Sequence, residues 1–206
     1  MNFFSVIKRF IIKNPKEQVV GYSLSELKSI FTEPLPPPRH ALFQPPRAVS
    51  LEDAGVSAYY ASLLIDKRDI NKVLALVESS LKLVTERTFN DLPVKRYEGE
   101  NKHQKLIVCT SAREFNSITL QVVTNSVDFL DAVRSEELPV PPPWIAFEGY
   151  NASWWGENMQ GAQGYYNDNY FFPFFTALSA AERRAYYAKY KAADEWINSL
   201  ELMRNE

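Results

Sequence analysis

Cysteine, histidine and glycine are scarce in this sequence, and each scarcity removes a class of chemistry. The 206 residues include one cysteine, two histidines and seven glycines. A single cysteine, Cys109, rules out an internal disulfide and points to a reducing compartment, the cytoplasm. It sits in the apolar run Leu106-Ile107-Val108-Cys109. There it reads as a small buried hydrophobe, because a nucleophilic thiol needs a nearby imidazole and an electropositive setting. The glycines form neither the GxxxxGK(S/T) loop that cradles phosphates nor the dinucleotide pattern GxGxxG. HExxH, CxxC, an EF-hand loop and GxSxG are missing too, so no metal, no cofactor and no enzymatic activity are expected. A thiol triad of Cys109, His40 and a carboxylate finds no support in spacing, and His103 stands in a polar stretch. Glu148, Glu157 and Asp168 are the acids best placed for acid–base work; each reads first as a cap, an ion-pair partner or a solvated residue.

Charge of one sign is also lacking. The formal net charge is −2, without the basic excess of a nucleic-acid binder. No apolar run reaches the length of a membrane span. The stretch from Phe3 to Ile12 is interrupted by Lys8 and Arg9 and lacks the charge-then-apolar order of a secretory signal. It predicts a short amphipathic helix, docked on the core in preference to lying on a membrane surface. Hydrophobic residues make up 46% of the chain, enough for one domain spanning 1–206 to build a core without staples.

Proline is what punctuates the chain. One cluster holds Pro34, Pro36, Pro37, Pro38, Pro45 and Pro46, the other Pro139, Pro141, Pro142 and Pro143. Proline has no backbone donor and forces its predecessor into an extended shape, so both clusters read as connectors. They divide the domain into a helical arm (1–33), a proline-rich connector (34–48), a middle region of helices plus a hairpin (49–138) and an aromatic-rich segment with a C-terminal helix (139–206). Pro34-Leu35-Pro36-Pro37-Pro38-Arg39 fits PxxPxR, a polyproline ligand pattern, although a plain connector is the simpler reading.

Periodicity supplies the elements. A helix from Ser23 or Ser25 runs through Leu27, Ile30 and Phe31 and stops before Pro34. Ser50 and Asp53 suggest a helix start, and the segment through Tyr59, Tyr60 and Leu64 leans towards helix. Ile70, Val73, Leu74, Val77, Leu81 and Val84 recur at helical spacing. Lys105–Thr110 and Ser117–Thr124 read as two strands of a hairpin, and Ser126 caps a short helix. Ser179 and Glu182 make a capping box before a long C-terminal helix with its stripe on Tyr186, Tyr190, Ala193, Ile197 and Leu200. The expected fold is therefore α+β: a mainly helical single domain with a small antiparallel sheet around 105–124.

The distinctive segment runs from Pro141 to Ser179. It carries Trp144, Phe147, Tyr150, Trp154, Trp155, Tyr165, Tyr166, Tyr170 and four phenylalanines, with no lysine or arginine. Most of these rings are expected to pack the last helix onto the core. Adjacent pairs such as Trp154-Trp155 and Tyr165-Tyr166 cannot both face one core from a regular helix, so part of the segment is expected to form a contact surface. Pro141-Pro142-Pro143-Trp144, Trp155, Gln160-Gly161, Gln163-Gly164-Tyr165-Tyr166, Pro173-Phe174, Leu178, Glu182-Arg183, Tyr186-Tyr187 and Trp196 together resemble the pattern of an uncharacterised bacterial family. Some proteins of that kind are encoded beside secreted polymorphic toxins and are taken to be their immunity proteins. The resemblance covers the last third of the chain. It implies a cytoplasmic binder that occludes the active site of a cognate protein toxin. Trp154, Trp155, Glu157, Tyr165, Tyr166 and Asp168 are the expected contact residues. A small-ligand or carbohydrate binder with an aromatic platform, and an enzyme whose carboxylates or His103 converge only on folding, are the rival readings.

Overall fold

Strands buried on both faces carry unbroken apolar runs, and three such runs form the centre of the architecture. The computed structural model describes residues 18–38, 47–156 and 159–204. These fall into two compact units. One holds the described residues up to Ala112 together with Ile118–Leu138; the other holds Arg113–Ser117 and the described residues from Pro139 onward. Among the described residues, no helix is long and apolar enough to cross a membrane. The helix expected over Phe3 to Ile12 lies outside them.

The first unit begins with a two-residue-strand hairpin, β1 (Gln18–Val19) and β2 (Tyr22–Ser23), followed by helix α1 (Leu24–Ile30). Next come β3 (Ala48–Ser50), β4 (Tyr59–Ile65), α2 (Ile70–Ser80), β5 (Leu81–Phe89), β6 (Leu92–Gly99), β7 (Lys105–Ser111), β8 (Ile118–Thr124) and α3 (Val127–Ser135). The last six strands make one sheet in the order β3-β4-β8-β7-β6-β5, antiparallel throughout. Helix α2 carries the chain from the second strand to the far edge, and the meander from β5 to β8 returns it.

Alternation divides the side chains between two layers. Tyr59, Ala61, Leu63, Ile65, Leu106, Val108, Leu120 and Val122 face one cluster, closed by Val73 and Val77 of α2 and Phe129, Leu130 and Val133 of α3. Tyr60, Ile107, Cys109 and Val123 face the other, closed by Val19, Val20, Tyr22, Leu27, Ile30 and Phe31. The N-terminal hairpin and α1 are thus the lid of the second face. Ser23 caps α1 in a capping box with Glu26, as the start signals predict. Arg87 of β5 reaches the same place: Nη1 lies 2.9 Å from Glu26 Oε1, and the guanidinium carbon lies 3.0 Å from the Tyr22 ring centre.

The expectation of a mainly helical domain with a small sheet is overturned. The predicted hairpin exists, with Leu106 opposite Thr124 and Ser111 opposite Thr119, but it is the middle of a six-stranded sheet. The segment Tyr59–Ile65 is a strand flanked on both sides. Six of its seven residues are buried, which erases the alternation that separates strand from helix. The helical spacing read through Leu81 and Val84 outlives the helix itself. Helix α2 stops at Ser80, and Leu81 turns extended at φ −129°, ψ 145°. Strand β5 is an edge strand with most of its residues exposed, so it lacks an apolar code. Asn90 and Asp91 both hold positive φ and join β5 to β6 in the two-residue turn such residues favour.

Two smaller expectations change as well. Ser50 starts only a short 3-10 turn, Glu52–Ala54, which ends at left-handed Gly55. The long C-terminal helix is two helices, Ala180–Lys189 and Asp194–Arg204. Lys191 takes φ 51°, and the Ala192 N–H donates to Tyr187 O at 3.0 Å, a left-handed termination that closes the first helix.

Removing the lid's central side chain tests this layering. Leu27 is fully buried, so Leu27→Ala is expected to cost about 2–5 kcal/mol in urea denaturation, whereas Leu83→Ala at an exposed edge position stays within about 0.5 kcal/mol. Glu26 gives a pH test. Hydrogen bonds from the Ser23 backbone and hydroxyl, then from Arg87, hold its carboxyl at about 2. A depressed folded value adds stability above the ordinary value of 4.5, and that stability disappears as pH falls towards 2. Glu26→Gln should therefore flatten the fall of stability with pH across this window, read from urea midpoints.

Candidate protein-interaction site

The second proline cluster creates a shortage of donors. Val140, Pro141, Pro142 and Pro143 are all buried, and the prolines offer carbonyls with no N–H. Two tyrosines meet the shortage. Tyr166 Oη donates to Pro141 O, and Tyr186 Oη donates to Val140 O at 2.7 Å. Burial pushes both phenols well above their ordinary range, so both remain donors. Pro143 then opens a short helix, α4 (Pro143–Ala146), at the position where a missing N–H costs nothing. Trp144 Nε1 from this turn donates to Tyr190 O at 3.1 Å.

The rest of the second unit is built on stacked rings. After a 3-10 turn at Ala152–Trp154, the chain forms α5 (Gly161–Tyr166), a π turn at Asn167–Phe171 and α6 (Phe172–Ala177). The two C-terminal helices follow as α7 (Ala180–Lys189) and α8 (Asp194–Arg204). Trp155 sits at the hub. Its ring centre lies 5.9 Å from Phe147, 5.8 Å from Tyr166, 6.3 Å from Phe171 and 5.9 Å from Trp196, mostly edge to face, the geometry aromatic quadrupoles favour. Tyr166 stacks on Phe171, and Phe171 on Phe175. Arg183, also buried, is held by Glu201 at 2.9 Å and by Leu178 O, joining α7 to α8.

Trp154 departs from this pattern: it is 64% exposed, while neighbouring Trp155 is 3% exposed. The end of the 3-10 turn explains the split: Trp154 is its last residue, while Trp155 is the cap, extended at φ −80°, ψ 128°, so the two side chains leave the turn in different directions. The turn is fixed from several sides. Asn151 Oδ1 accepts from the Ser153 N–H at 2.9 Å, and Ser199 Oγ of α8 donates to Ala152 O at 2.7 Å. Tyr150 stands edge-on to Trp154 at 6.2 Å and edge-on to Trp155 at 5.8 Å, bridging surface and hub.

The remaining expected contact residues are distributed differently. Tyr166 is fully buried and belongs with Trp155 to the aromatic core. Tyr165 is half-buried, stacked on Phe115 at 6.3 Å. Asp168 is exposed on the π turn, and Glu157 lies outside the described residues. Glu148 is exposed; His103 is paired with Glu33 at 3.5 Å in the first unit. His40 lies outside the described residues, while Cys109 is buried and its thiol is pushed up by burial. Among the described residues, no three His, Cys, Asp or Glu side chains gather as a metal site. A polar groove of about 550 Å³ in the first unit is lined by Glu78, Ser79, Ser80, Lys82, Glu100 and Gln104, among others, and Lys82 pairs with Glu100 at 3.2 Å across it.

Leu202 of α8 is 65% exposed and lies outside the predicted apolar stripe. Its signal was available: it lies off the stripe of Trp196 and Leu200, an apolar residue on the solvated side of an amphipathic helix. Leu83 and Val84 on edge strand β5 are 51% and 43% exposed; the helical spacing that includes Val84 conceals this.

No family model matches the chain, and comparisons with curated proteins and with solved structures find no match.

The two adjacent tryptophans should respond oppositely to truncation. Trp155→Ala is expected to cost about 3–5 kcal/mol, and Trp154→Ala no more than about 0.5 kcal/mol, both measured by urea denaturation of the full chain.

Proposed function

We propose that this chain is a non-enzymatic binding protein, and specifically an immunity protein that covers the active site of a cognate protein toxin. The observation carrying the reading is Trp154. A tryptophan held in the open on a braced turn, beside a core that takes in its neighbour, has the properties of an interface anchor. It offers a large contact area, and the turn that carries it needs no ordering on binding. Trp154 enters a pocket or rim of the partner, and Asp168 supplies a negative charge from the same unit. Tyr165 contributes from its half-buried position.

The surroundings suit a protein partner better than a nucleic acid. The segment from Pro141 to Ser179 contains no lysine or arginine, so it offers no cation to phosphate oxygens. An acidic and aromatic surface complements a basic substrate groove, where charge speeds encounter and the buried ring slows release. The resemblance of the last third of the chain to an uncharacterised bacterial family, some members of which are taken to be immunity proteins, suggests the class of partner. Occlusion asks nothing of the binder's own chemistry, so contact and shape do all of the work.

The test is co-expression with the products of adjacent genes, followed by tagged purification and a toxicity assay. A stoichiometric partner that is inactive in the complex and toxic alone supports the reading. Trp154→Ala should then weaken that complex at least about 30-fold, the effect of a 2 kcal/mol hot spot, while melting like the parent. Recovery of the chain alone at every salt concentration overturns the proposal.

A further inference from the structure

Among the described residues one arginine is seated on a ring, with a carboxylate at its other side. The guanidinium carbon of Arg87 lies 3.0 Å from the Tyr22 ring centre, and Nη1 lies 2.9 Å from Glu26 Oε1. The ring face offers its negative quadrupole and the carboxylate its charge, so the cation is held from two sides.

The loop from Phe147 to Gly156 carries the same two kinds of group without the cation. The Tyr150 N–H donates to Phe147 O at 3.0 Å, and Gly149 takes the φ of 80° that suits such a turn. Glu148 occupies the outer corner of the turn and is exposed. Tyr150 meets the Trp154 ring edge-on at 6.2 Å. Whichever ring presents its edge, Tyr150 leaves at least one face of the indole uncovered, and Trp154 is 64% exposed. Asn151 and Ser153 are exposed beside it. Ser199 Oγ ties the loop to α8 through Ala152 O at 2.7 Å, and the exposed Glu195 stands one turn before Ser199 on the same helix face. The loop has no positive charge of its own, because no lysine or arginine occurs from 141 to 179.

We infer that this loop receives an arginine side chain of a partner protein, its guanidinium flat on Trp154 and its N–H groups donating to Glu148. The inference deepens the reading of Trp154 as a protein-interface anchor, on which it rests, and does not need the partner to be a toxin. Arginine suits the site better than lysine. Its guanidinium is planar and weakly hydrated, and it stacks on an aromatic face while its N–H groups still reach a carboxylate. Among protein rings, indole makes the strongest contact of this kind. A basic substrate groove, the surface an occluding binder covers, presents such side chains.

The experiment uses the full chain, isotope-labelled at nitrogen, and two peptides of equal charge, hexa-arginine and hexalysine. The reporter is the side-chain N–H of Trp154, identified by its loss in Trp154→Ala. Simple charge attraction is common to both peptides, so the difference between them reads the ring contact. Hexa-arginine should shift this resonance saturably and bind about three- to fivefold more tightly than hexalysine, the effect of an exposed cation–π contact. Trp154→Ala, followed at the Ser153 and Gly156 backbone N–H groups, should bring hexa-arginine to the hexalysine level with an unchanged melting curve. Glu148→Gln keeps the ring and should weaken hexa-arginine about threefold, the effect of a lost exposed ion pair. Equal affinities for the two peptides, no saturable shift, or an arginine preference that survives Trp154→Ala overturns the inference. A shift of the Trp154 resonance by maltohexaose but not by hexa-arginine assigns the ring to carbohydrate and also overturns it. Arginine binding by a chain that co-purifies with nothing removes the toxin reading and supports this one. A stoichiometric toxin partner without any arginine preference does the reverse.

Discussion

A strand buried on both faces needs two covers, and the first unit is organised by that requirement. Ile107 and Cys109 of β7 point to one side of the sheet, Leu106 and Val108 to the other. Helix α2, which links β4 to β5, and α3, which follows β8, supply the first cover. The second cover comes from a stretch that precedes the sheet, the β1–β2 hairpin and α1. The guanidinium of Arg87, set between Glu26 and the Tyr22 ring, joins that cover to an edge strand otherwise open to water. Strand β5 keeps its edge from pairing indiscriminately by means of a bulge between Leu83 and Thr85 and by its charged Lys82, Glu86 and Arg87.

A different constraint governs the second unit, which contains almost no aliphatic core. Its interior is a set of rings centred on Trp155, and its polar accounting turns on prolines. A buried proline run has acceptors and no donors; Tyr166 and Tyr186 provide the donors that the backbone lacks. This explains why tyrosine rather than phenylalanine stands at these two fully enclosed positions. The hydroxyl that would be costly if left unpaired is what lets Val140 and Pro141 be buried.

The same two residue types therefore appear twice with opposite outcomes. Trp154 and Trp155 are neighbours in sequence, separated by the turn of a 3-10 helix into solvent and hub. Pro34–Pro38 and Pro141–Pro143 have similar sequences, yet the second run lies under tyrosine hydroxyls while the first is held by Leu35 and by one hydrogen bond, from Tyr59 to Pro36 O. The functional reading rests on the exposed tryptophan of the first pair. An exposed residue that is also rigidly supported can bind without being ordered first.

Local signals were legible in the sequence where the determinant is itself local. The helix start at Ser23, the capping box of Ser179 with Glu182, the Ser126 cap and the β7–β8 hairpin need only neighbouring residues to form. The six-stranded sheet was not legible. Burial on both faces removes the alternation of β4, exposure removes it from β5, and the spacing of Leu81 and Val84 imitates a helix that has already ended. The single break at Lys191 was hidden because lysine is a good helix former, yet here it takes the left-handed turn that lets the Ala192 N–H close on Tyr187 O. Composition alone determined that the aromatic segment would be a core with some surface. Only the tertiary structure decided which ring is which, because that choice depends on the direction each side chain takes from a turn and on what lies there to receive it.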